Sequence, residues 1–376
     1  RMPLGYGRAP FAATGAATYA GCMVNVVLGI DIGGANLKAA TADKRAVSVP
    51  FALWKEPQNL AAKLAELVAK FPDATEFAVT MNGELCDCYE TKRQGVTAIV
   101  EAIEFAAAGT PVRIWGTDSK WHSPAEAKKS HLLVAASNWH ALATFAGRFA
   151  PGPAALLIDI GSTTTDIVFL HHGEALDGVG LTDQDRLEEG MLVYTGVRRT
   201  PICALSIPRL AAEFFATTLD VYLVLGMIPE DPTDSETADG RPATIPYAIA
   251  RLSRMLGGDT EITHELMVRY LAERLARRQR DLIADSARNM IGSMVGRSQG
   301  RLPSPTLAIV SGAGEFLARE VISSKIGEPP IRDIRSLNDE LGPKVSACAP
   351  AYALAVLATE RPLEGGDAQR KARPNQ

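Results

Sequence analysis

Two kinds of hydrophobic pattern follow each other along the first part of this chain. Short apolar runs separated by turns predict strands at Val24–Ile30, Leu37–Thr41 and Ala46–Phe51, joined as an antiparallel meander. The pattern then predicts two more strands, at Glu76–Thr80 and Val112–Trp115, and three helices, at Asn59–Lys70, Thr97–Ala107 and His140–Phe149, the last with Asn138 as its N-cap. Strands that alternate with amphipathic helices indicate an α/β layer architecture.

The same pattern then starts again. Strands are predicted at Ala155–Ile160, Ile167–Leu170 and Thr306–Ser311, and helices at Glu315–Ser323 and Ala347–Ala358. Residues 181–205 read as turns and short strands, and residues 209–296 read as mostly helical. Because 376 residues exceed one ordinary core, we predict two domains, at 23–150 and 151–361, the second with the helical segment as an insertion. We expect residues 1–22 to form an extension outside the fold and residues 362–376 a disordered tail.

Composition narrows the class of protein. Hydrophobic residues make up 47% and charged residues 22%, which excludes a disordered chain or a disulfide-stapled miniprotein. A net charge of −4 gives no basic surplus for nucleic acid, and no apolar run is long enough to suggest a membrane span. Five cysteines in a chain of this length favour a reducing, cytoplasmic location. Homo-oligomerisation stays open at this stage.

Two segments of the chain resemble each other, at 29–38 and 158–166. Each is a strand that ends in Asp, then a tight turn of small residues, then a return strand. Glycine lets backbone N–H groups approach a phosphate, and Ser or Thr hydroxyls add donors. One such turn also makes an ordinary hairpin, whereas two in matching positions favour a shared ligand. The candidate phosphate-binding residues are Gly33, Gly34 and Asn36 in the first turn and Gly161, Ser162, Thr163 and Thr164 in the second.

Acidic side chains stand beside both turns. Asp31 and Asp159 end the two leading strands, and Asp166 follows the second turn. Carboxylates at such positions hold Mg²⁺ directly or through water, so all three are candidate metal ligands.

A third segment, at 308–317, reads as strand, glycine turn and helix. Gly312, Gly314 and Glu315 stand where a helix N-terminus receives an anion or the sugar of a nucleotide, although an ordinary strand–helix turn looks the same. Together the three segments resemble the actin, sugar kinase and heat-shock-70 ATPase superfamily. The resemblance implies two ribonuclease-H-like domains around a central cleft, with Mg²⁺ and ATP or another diphosphate-bearing ligand in it.

A narrower resemblance comes from residues 80–96, which read TMNGELCDCYETKRQGV. This block resembles that of the hydantoinase A/oxoprolinase-like family, with a departure at Asn82. Within that family the chain is most similar to tetrahydromethanopterin-linked one-carbon transfer pathway proteins, with support from residues 138–143 and 194–201. Characterised relatives of that kind act in methanofuran biosynthesis. They condense an aminomethylfuran-methyl diphosphate with γ-glutamyltyramine, forming an ether and releasing diphosphate.

That reaction gives the polar residues roles. Lys38, the phosphate turns and Mg²⁺ would stabilise the leaving diphosphate, while Glu84, or Asp31 if it is not on the metal, would take the phenol proton. Four bases are candidates for the acidic end of the second substrate, or alternatively for solvated or structural ion pairs: Lys92, Arg93, Arg198 and Arg199. For Glu84 the alternative is a turn-capping role.

Two other functions use the same residues. An ATP-dependent kinase or hydantoinase-type ATPase would hold ATP in the two turns, with Asp31 or Asp159 orienting a hydroxyl or water. A non-catalytic nucleotide-binding protein would need only the fold of the cleft.

Overall fold

Two mixed β-sheets with helices on their faces form the fold. The computed structural model describes residues 25–176, 181–324 and 326–361, so the predicted extension at 1–22 and tail at 362–376 lie outside the described residues. The first sheet contains β1 (Val27–Ile32), β2 (Asn36–Thr41), β3 (Ala46–Pro50), β4 (Glu76–Met81), β5 (Val112–Trp115) and β6 (Trp121–His122). The helices of this part of the chain are α1 (Leu60–Val68), α2 (Lys92–Ala107), α3 (Pro124–Lys129), α4 (His131–Val134) and α5 (Asn138–Ala146).

The second sheet begins at residue 155. Its strands are β7 (Ala155–Ile160), β8 (Thr165–His171), β9 (Glu174–Ala175), β10 (Leu192–Val193), β11 (Leu307–Ser311) and β12 (Asp333–Ser336). The helices that follow β7 along the chain are α6 (Asp183–Glu188), α7 (Thr218–Val224), α8 (Ile245–Met255), α9 (Glu265–Arg297), α10 (Glu315–Ser323), α11 (Leu337–Leu341), α12 (Pro343–Ser346) and α13 (Ala349–Glu360). Short 3₁₀ turns lie at Pro57–Asn59, Gly147–Phe149 and Ile202–Leu205.

Both sheets have the same strand order. In the first, β3-β2-β1-β4-β5 places an antiparallel meander beside two parallel strands, and in the second β10-β8-β7-β11-β12 does the same. β1 therefore corresponds to β7, β2 to β8, β3 to β10 and β4 to β11. This duplication confirms the predicted pair of ribonuclease-H-like units around a cleft.

The last helix of the chain returns to the first sheet. α13 packs on β1 so closely that a Cβ on Gly29 would lie 1.8 Å from the backbone oxygen of Ala351. α5 packs beside α13, and Trp115, Ala141 and Leu354 share one buried cluster. The small residues of α13 allow this approach, as the run of alanines in the sequence predicts.

Some boundaries differ from the sequence prediction. α2 begins at Lys92 rather than Thr97, because Thr91 caps it by accepting from the backbone N–H of Gln94. Asn138 is the first residue of α5 and not its N-cap, which is Ser137. α6 lies where turns were expected, with Thr182 closing a capping box. β12 escaped prediction because a short edge strand carries almost no apolar signal.

Candidate functional site

The two glycine turns have the same backbone closure. In the first turn, residues 33–36, the N–H of Gly33 donates to the oxygen of Asn36 at 3.0 Å. In the second turn, residues 161–164, the N–H of Gly161 donates to the oxygen of Thr164 at 2.9 Å. Each turn joins the two central antiparallel strands of its sheet, so both face the space between the sheets.

Carbonyl groups of both turns accept hydrogen bonds from the backbone of the segments that follow β3 and β10. The N–H of Leu53 donates to Gly34 at 2.9 Å, and the N–H groups of Arg198 and Arg199 donate to Ser162 at 3.1 and 2.9 Å. Within the described ranges, the N–H groups of Gly34, Ala35, Ser162 and Thr163 donate to no protein acceptor. An unpaired row of N–H groups in a turn is an anion-binding arrangement.

A glycine packs against the back of each turn. A Cβ on Gly83 would lie 3.2 Å from the backbone of Gly33 and Gly34, and a Cβ on Gly196 would lie 2.5 Å from the backbone of Ser162 and Thr163. The side chain of Cys86 also contacts the first turn, because a Cβ on Gly34 would lie 2.8 Å from its Sγ. Backbone-to-backbone contact fixes both turns in place.

A cavity of about 930 Å³ lies between the sheets and brings most of the predicted site residues together. The predicted residues that line it are Asp31, Gly33, Gly34, Asn36, Lys38, Asp159, Gly161, Ser162, Thr163, Thr164, Asp166, Arg199, Gly312 and Glu315. Those absent from its lining are Glu84, Lys92, Arg93, Arg198 and Gly314. The duplicated turns and their acids therefore face one space.

Strand register sets the carboxylates in corresponding positions. Asp31 on β1 lies opposite Lys38 on β2, and Asp159 on β7 lies opposite Asp166 on β8. Burial raises the pKa of Asp31 to about 6 and that of Asp159 to about 7, and the positive charge of Lys38 lowers both by less. Burial also raises the pKa of Asp166, against the opposing charge of the Arg186 guanidinium with which it pairs.

These carboxylates fit Mg²⁺ with water and phosphate as additional ligands. Oδ1 of buried Asp31 accepts no hydrogen bond from any described residue, so it has a free coordination position. In the described part of the chain no three His, Cys, Asp or Glu side chains converge as a ready metal cage. Mg²⁺ usually takes only one or two carboxylates plus phosphate oxygens and water, so Asp31 and Asp159 suit it better than they suit Ca²⁺.

Glu84 lies beside the cavity, directly before Leu85, which lines it. Its side chain is 1% exposed, and no described side chain donates a hydrogen bond to either carboxylate oxygen. Burial raises its pKa to about 7, although a backbone N–H and then the ammonium of Lys92, 4.0 Å from Oε1, lower it in part. Gly95 allows this placement, since a Cβ there would lie 2.1 Å from the Glu84 backbone oxygen.

The four predicted substrate-binding bases have different surroundings. Lys92 pairs with Asp183 at 3.0 Å, and Arg198 pairs with Asp234. Arg93 lies on a separate surface groove along α2. Arg199 lines the cavity and stacks over the Trp54 ring at 4.3 Å.

The third predicted segment packs against the second turn's leading strand. Gly312 has φ +87°, and a Cβ there would lie 2.3 Å from the oxygen of Ile160, so glycine is required. The Glu315 carboxylate accepts from the Ser336 hydroxyl and, at 3.0 Å, from the N–H of Asn338. Glu315 therefore holds the start of α11 at the cavity wall.

Comparison with known proteins identifies the family. A family model described as Hydantoinase/oxoprolinase matches residues 76–361. This chain belongs to the hydantoinase/oxoprolinase family. It is 31% identical over 344 residues to the (4-{4-[2-(gamma-L-glutamylamino)ethyl]phenoxymethyl}furan-2-yl)methanamine synthase of Methanocaldococcus jannaschii, covering 88% of this chain and 97% of that protein.

Other similarities are weaker. The synthase of the same name from Methanococcus vannielii is 28% identical over 211 residues, covering 54% of this chain and 89% of that protein. Among solved structures, a ROK hexokinase from Thermus thermophilus is 16% identical with a TM-score of 0.38, covering 88% of this chain and 98% of that one. In the described residues of this hydantoinase/oxoprolinase chain, no helix is long and apolar enough to cross a bilayer.

The sequence analysis assigned no site role to five further residues of this hydantoinase/oxoprolinase cleft. Trp54, Asp183, Arg186 and Tyr194 line the cavity, and Gly196 supports the second turn. Trp54 follows β3 as Arg199 follows β10, so the internal duplication could have predicted that these two residues occupy corresponding positions at the cleft. The other residues lie at 181–205, where the hydrophobic pattern is too weak to fix their positions.

Proposed function

We propose that this protein is a transferase of methanofuran-type cofactor biosynthesis. It would join an aminomethylfuran-methyl diphosphate to a tyramine- or tyrosine-derived phenol through an ether and release diphosphate. The observation that carries the proposal is the similarity to the Methanocaldococcus jannaschii synthase over 97% of that protein's length. The name of that relative describes a phenoxymethylfuran, the ether that such a condensation forms.

The cleft supports the diphosphate half of this reaction. Unpaired N–H groups of Gly34, Ala35, Ser162 and Thr163 surround a space that is large enough for a diphosphate and an aromatic ring. When bound by Asp31 and Asp159, Mg²⁺ would supply positive charge that stabilises the departing diphosphate. Backbone donors that are already in place need no rearrangement as negative charge develops.

The bond changes balance without a redox partner. The bond between the furan methylene carbon and the diphosphate oxygen breaks, and its electron pair leaves with diphosphate. The furan ring stabilises the developing carbocation, and the phenol oxygen supplies the pair for the new ether bond. The phenol proton goes to a carboxylate, for which we assign Glu84.

Three observations support Glu84 as this base. No described side chain donates a hydrogen bond to its two oxygens, so no side-chain donor competes with a phenol O–H that reaches them. Its pKa of about 7 is closer to the pKa of a phenol, about 10, than that of an ordinary carboxylate. Its neighbour Leu85 lines the cavity, so the backbone of Glu84 lies at that wall.

The test is a direct assay of product. The pure protein with Mg²⁺, a synthetic aminomethylfuran-methyl diphosphate and a panel of phenols should give an ether by mass spectrometry and an equal amount of diphosphate. Labelled ATP incubated in parallel should stay intact. Asp159→Asn serves as the inactive control, with a rate at least about 100-fold lower. ATP hydrolysis without ether formation would show the kinase or ATPase alternative to be right.

A further inference from the structure

Arg199 reaches from one glycine turn towards the other. Its backbone N–H donates to Ser162 in the second turn at 2.9 Å. Its guanidinium stacks over Trp54 at 4.3 Å, and the N–H of the adjacent Leu53 donates to Gly34 in the first turn. The side chain therefore spans the gap between the two turns at the wall of the cavity.

The lining of the cavity also places Arg199 with the first turn. Cys86, which lies against Gly34 of that turn, and Arg199 line the same cavity, and the positive charge of Arg199 lowers the pKa of the Cys86 thiol by a small part of what burial raises it. In the described residues Arg199 forms no ion pair and its side chain donates no hydrogen bond. Asp87 lines the same cavity but makes no ion pair with it. The Arg199 guanidinium is therefore available at the cavity wall to pair with an anionic group of a ligand.

Lys38, another cation that lines the cavity, has a different environment. It lies opposite Asp31 in the strand register, and its charge acts on both Asp31 and Asp159. Those two carboxylates offset its charge, so Lys38 contributes little net positive charge to a phosphate. Arg199 has no ion-pair partner in the part of the chain that the structure describes.

We infer that Arg199, held against Trp54, binds the diphosphate between the two turns and neutralises it as it leaves. This inference rests on the proposed function and names the residue that recognises the leaving group. Stacking on the indole fixes the plane of the guanidinium and leaves its edge N–H groups free. Those N–H groups match two phosphate oxygens at once, as a lysine ammonium does not.

The experiment measures binding of inorganic diphosphate with Mg²⁺ by isothermal titration calorimetry, with no turnover required. Arg199→Met should bind at least about 30-fold more weakly than the unchanged protein, because the diphosphate loses a half-buried cation that binds two of its oxygens. Arg199→Lys keeps the charge but loses the bidentate contact, so its affinity for diphosphate should lie between those of the unchanged protein and Arg199→Met. Trp54→Leu should weaken diphosphate binding less than Arg199→Met does. Trp54→Phe keeps an aromatic ring under the guanidinium, so it should bind diphosphate more tightly than Trp54→Leu and nearly as well as the unchanged protein.

Arg269→Met is the matched control, since it removes the same charge from an exposed position on α9 outside the cavity. It should bind diphosphate as the unchanged protein does. Melting temperatures of all the variants verify that each is folded. Comparable binding by folded Arg199→Met, with a large loss in Lys38→Met, would overturn the inference and return the role to Lys38.

The outcomes separate this inference from the proposed function. If diphosphate binding depends on Arg199 but no ether forms, the inference stands and the proposed function fails. If ether forms and Arg199→Met binds diphosphate normally, the proposed function stands and the inference fails.

Discussion

The two halves of the cleft have nearly the same backbone but different charges. Asp31 and Asp159 occupy corresponding positions, yet the residue across the strand pair is Lys38 in one half and Asp166 in the other. The second half compensates its extra acid with Arg186, which is 1% exposed and comes from α6, a helix that has no counterpart beside the first turn among the described residues. The two halves therefore share a backbone fold but differ in electrostatic field, which suits a ligand with chemically different ends.

The largest expected change in stability comes from removing Arg186, the cation that compensates Asp166. Arg186 pairs with Asp166, lies 3.6 Å from Asp183 and stacks over Trp139 at 4.3 Å. Arg186→Met should lower the free energy of unfolding by about 3–5 kcal/mol, because two acids lose their buried cation. Urea denaturation at pH 7 measures it.

Lys38→Met is the matched comparison in the first half. It should cost clearly less stability, because Lys38 forms no ion pair in the described chain and its neighbouring acids can take up protons. Equal losses in the two variants would contradict the charge asymmetry.

The second prediction compares two glutamates that follow corresponding strands. Gly83-Glu84 follows β4, and Gly314-Glu315 follows β11. The Glu315 carboxylate accepts from the Ser336 side chain and the Asn338 N–H, whereas no described side chain donates a hydrogen bond to the oxygens of Glu84. We therefore interpret Glu315 as structural and Glu84 as a group kept free for chemistry.

The pH dependence of stability distinguishes them. The pKa of Glu84 rises from its ordinary 4.5 to about 7 on folding, so between these values the folded protein retains a proton that the unfolded chain releases. Stability from this group is therefore lost as pH rises through that window. Glu84→Gln should gain about 3 kcal/mol relative to the unchanged protein between pH 4.5 and pH 8, measured by denaturation at each pH.

The same variant should lose most of its ether-forming activity, since glutamine cannot take a proton. Glu315→Gln should instead destabilise the protein at every pH, because its amide cannot replace both accepting oxygens. An active Glu84→Gln protein would remove Glu84 as the base and leave Asp31 as the alternative.

Sequence alone predicted much of this site, because its central feature is local. Strand, aspartate and glycine turn stand together in the chain, so Asp31, Gly33, Asp159 and Gly161 could be predicted without a structure. The partners of these residues were not predictable, because they come from distant parts of the chain. Arg186 lies 20 residues from Asp166, and its pairing depends on a helix at a place where turns were expected.

The surroundings of individual charged residues were likewise not predictable from the sequence, because tertiary packing determines them. The predicted bases at 92, 93, 198 and 199 are all cationic and form two adjacent pairs in the sequence, yet only tertiary packing decides which one faces the cavity. Their roles in binding substrate remain predictions.

The smallest expected effect tests how rigidly each turn is held. A Cβ on Gly196 would meet only backbone of the second turn, at 2.5 Å, so the turn itself must shift. A Cβ on Gly83 would lie 3.2 Å from the first turn and 2.8 Å from the flexible end of Leu53, which can move. Gly196→Ala should therefore destabilise the protein by about 2 kcal/mol and Gly83→Ala by about 1 kcal/mol, as denaturation curves would show.

Diphosphate titration then separates stability from site geometry. Gly196→Ala moves the N–H groups of Ser162 and Thr163, so it should also weaken diphosphate binding, by roughly 10-fold for one lost charge-assisted hydrogen bond. Gly83→Ala should change binding by less than the second-turn variant. If the two variants weaken diphosphate binding equally, both turns contact the phosphates to the same degree, and the asymmetry of the cleft lies only in its side-chain charges.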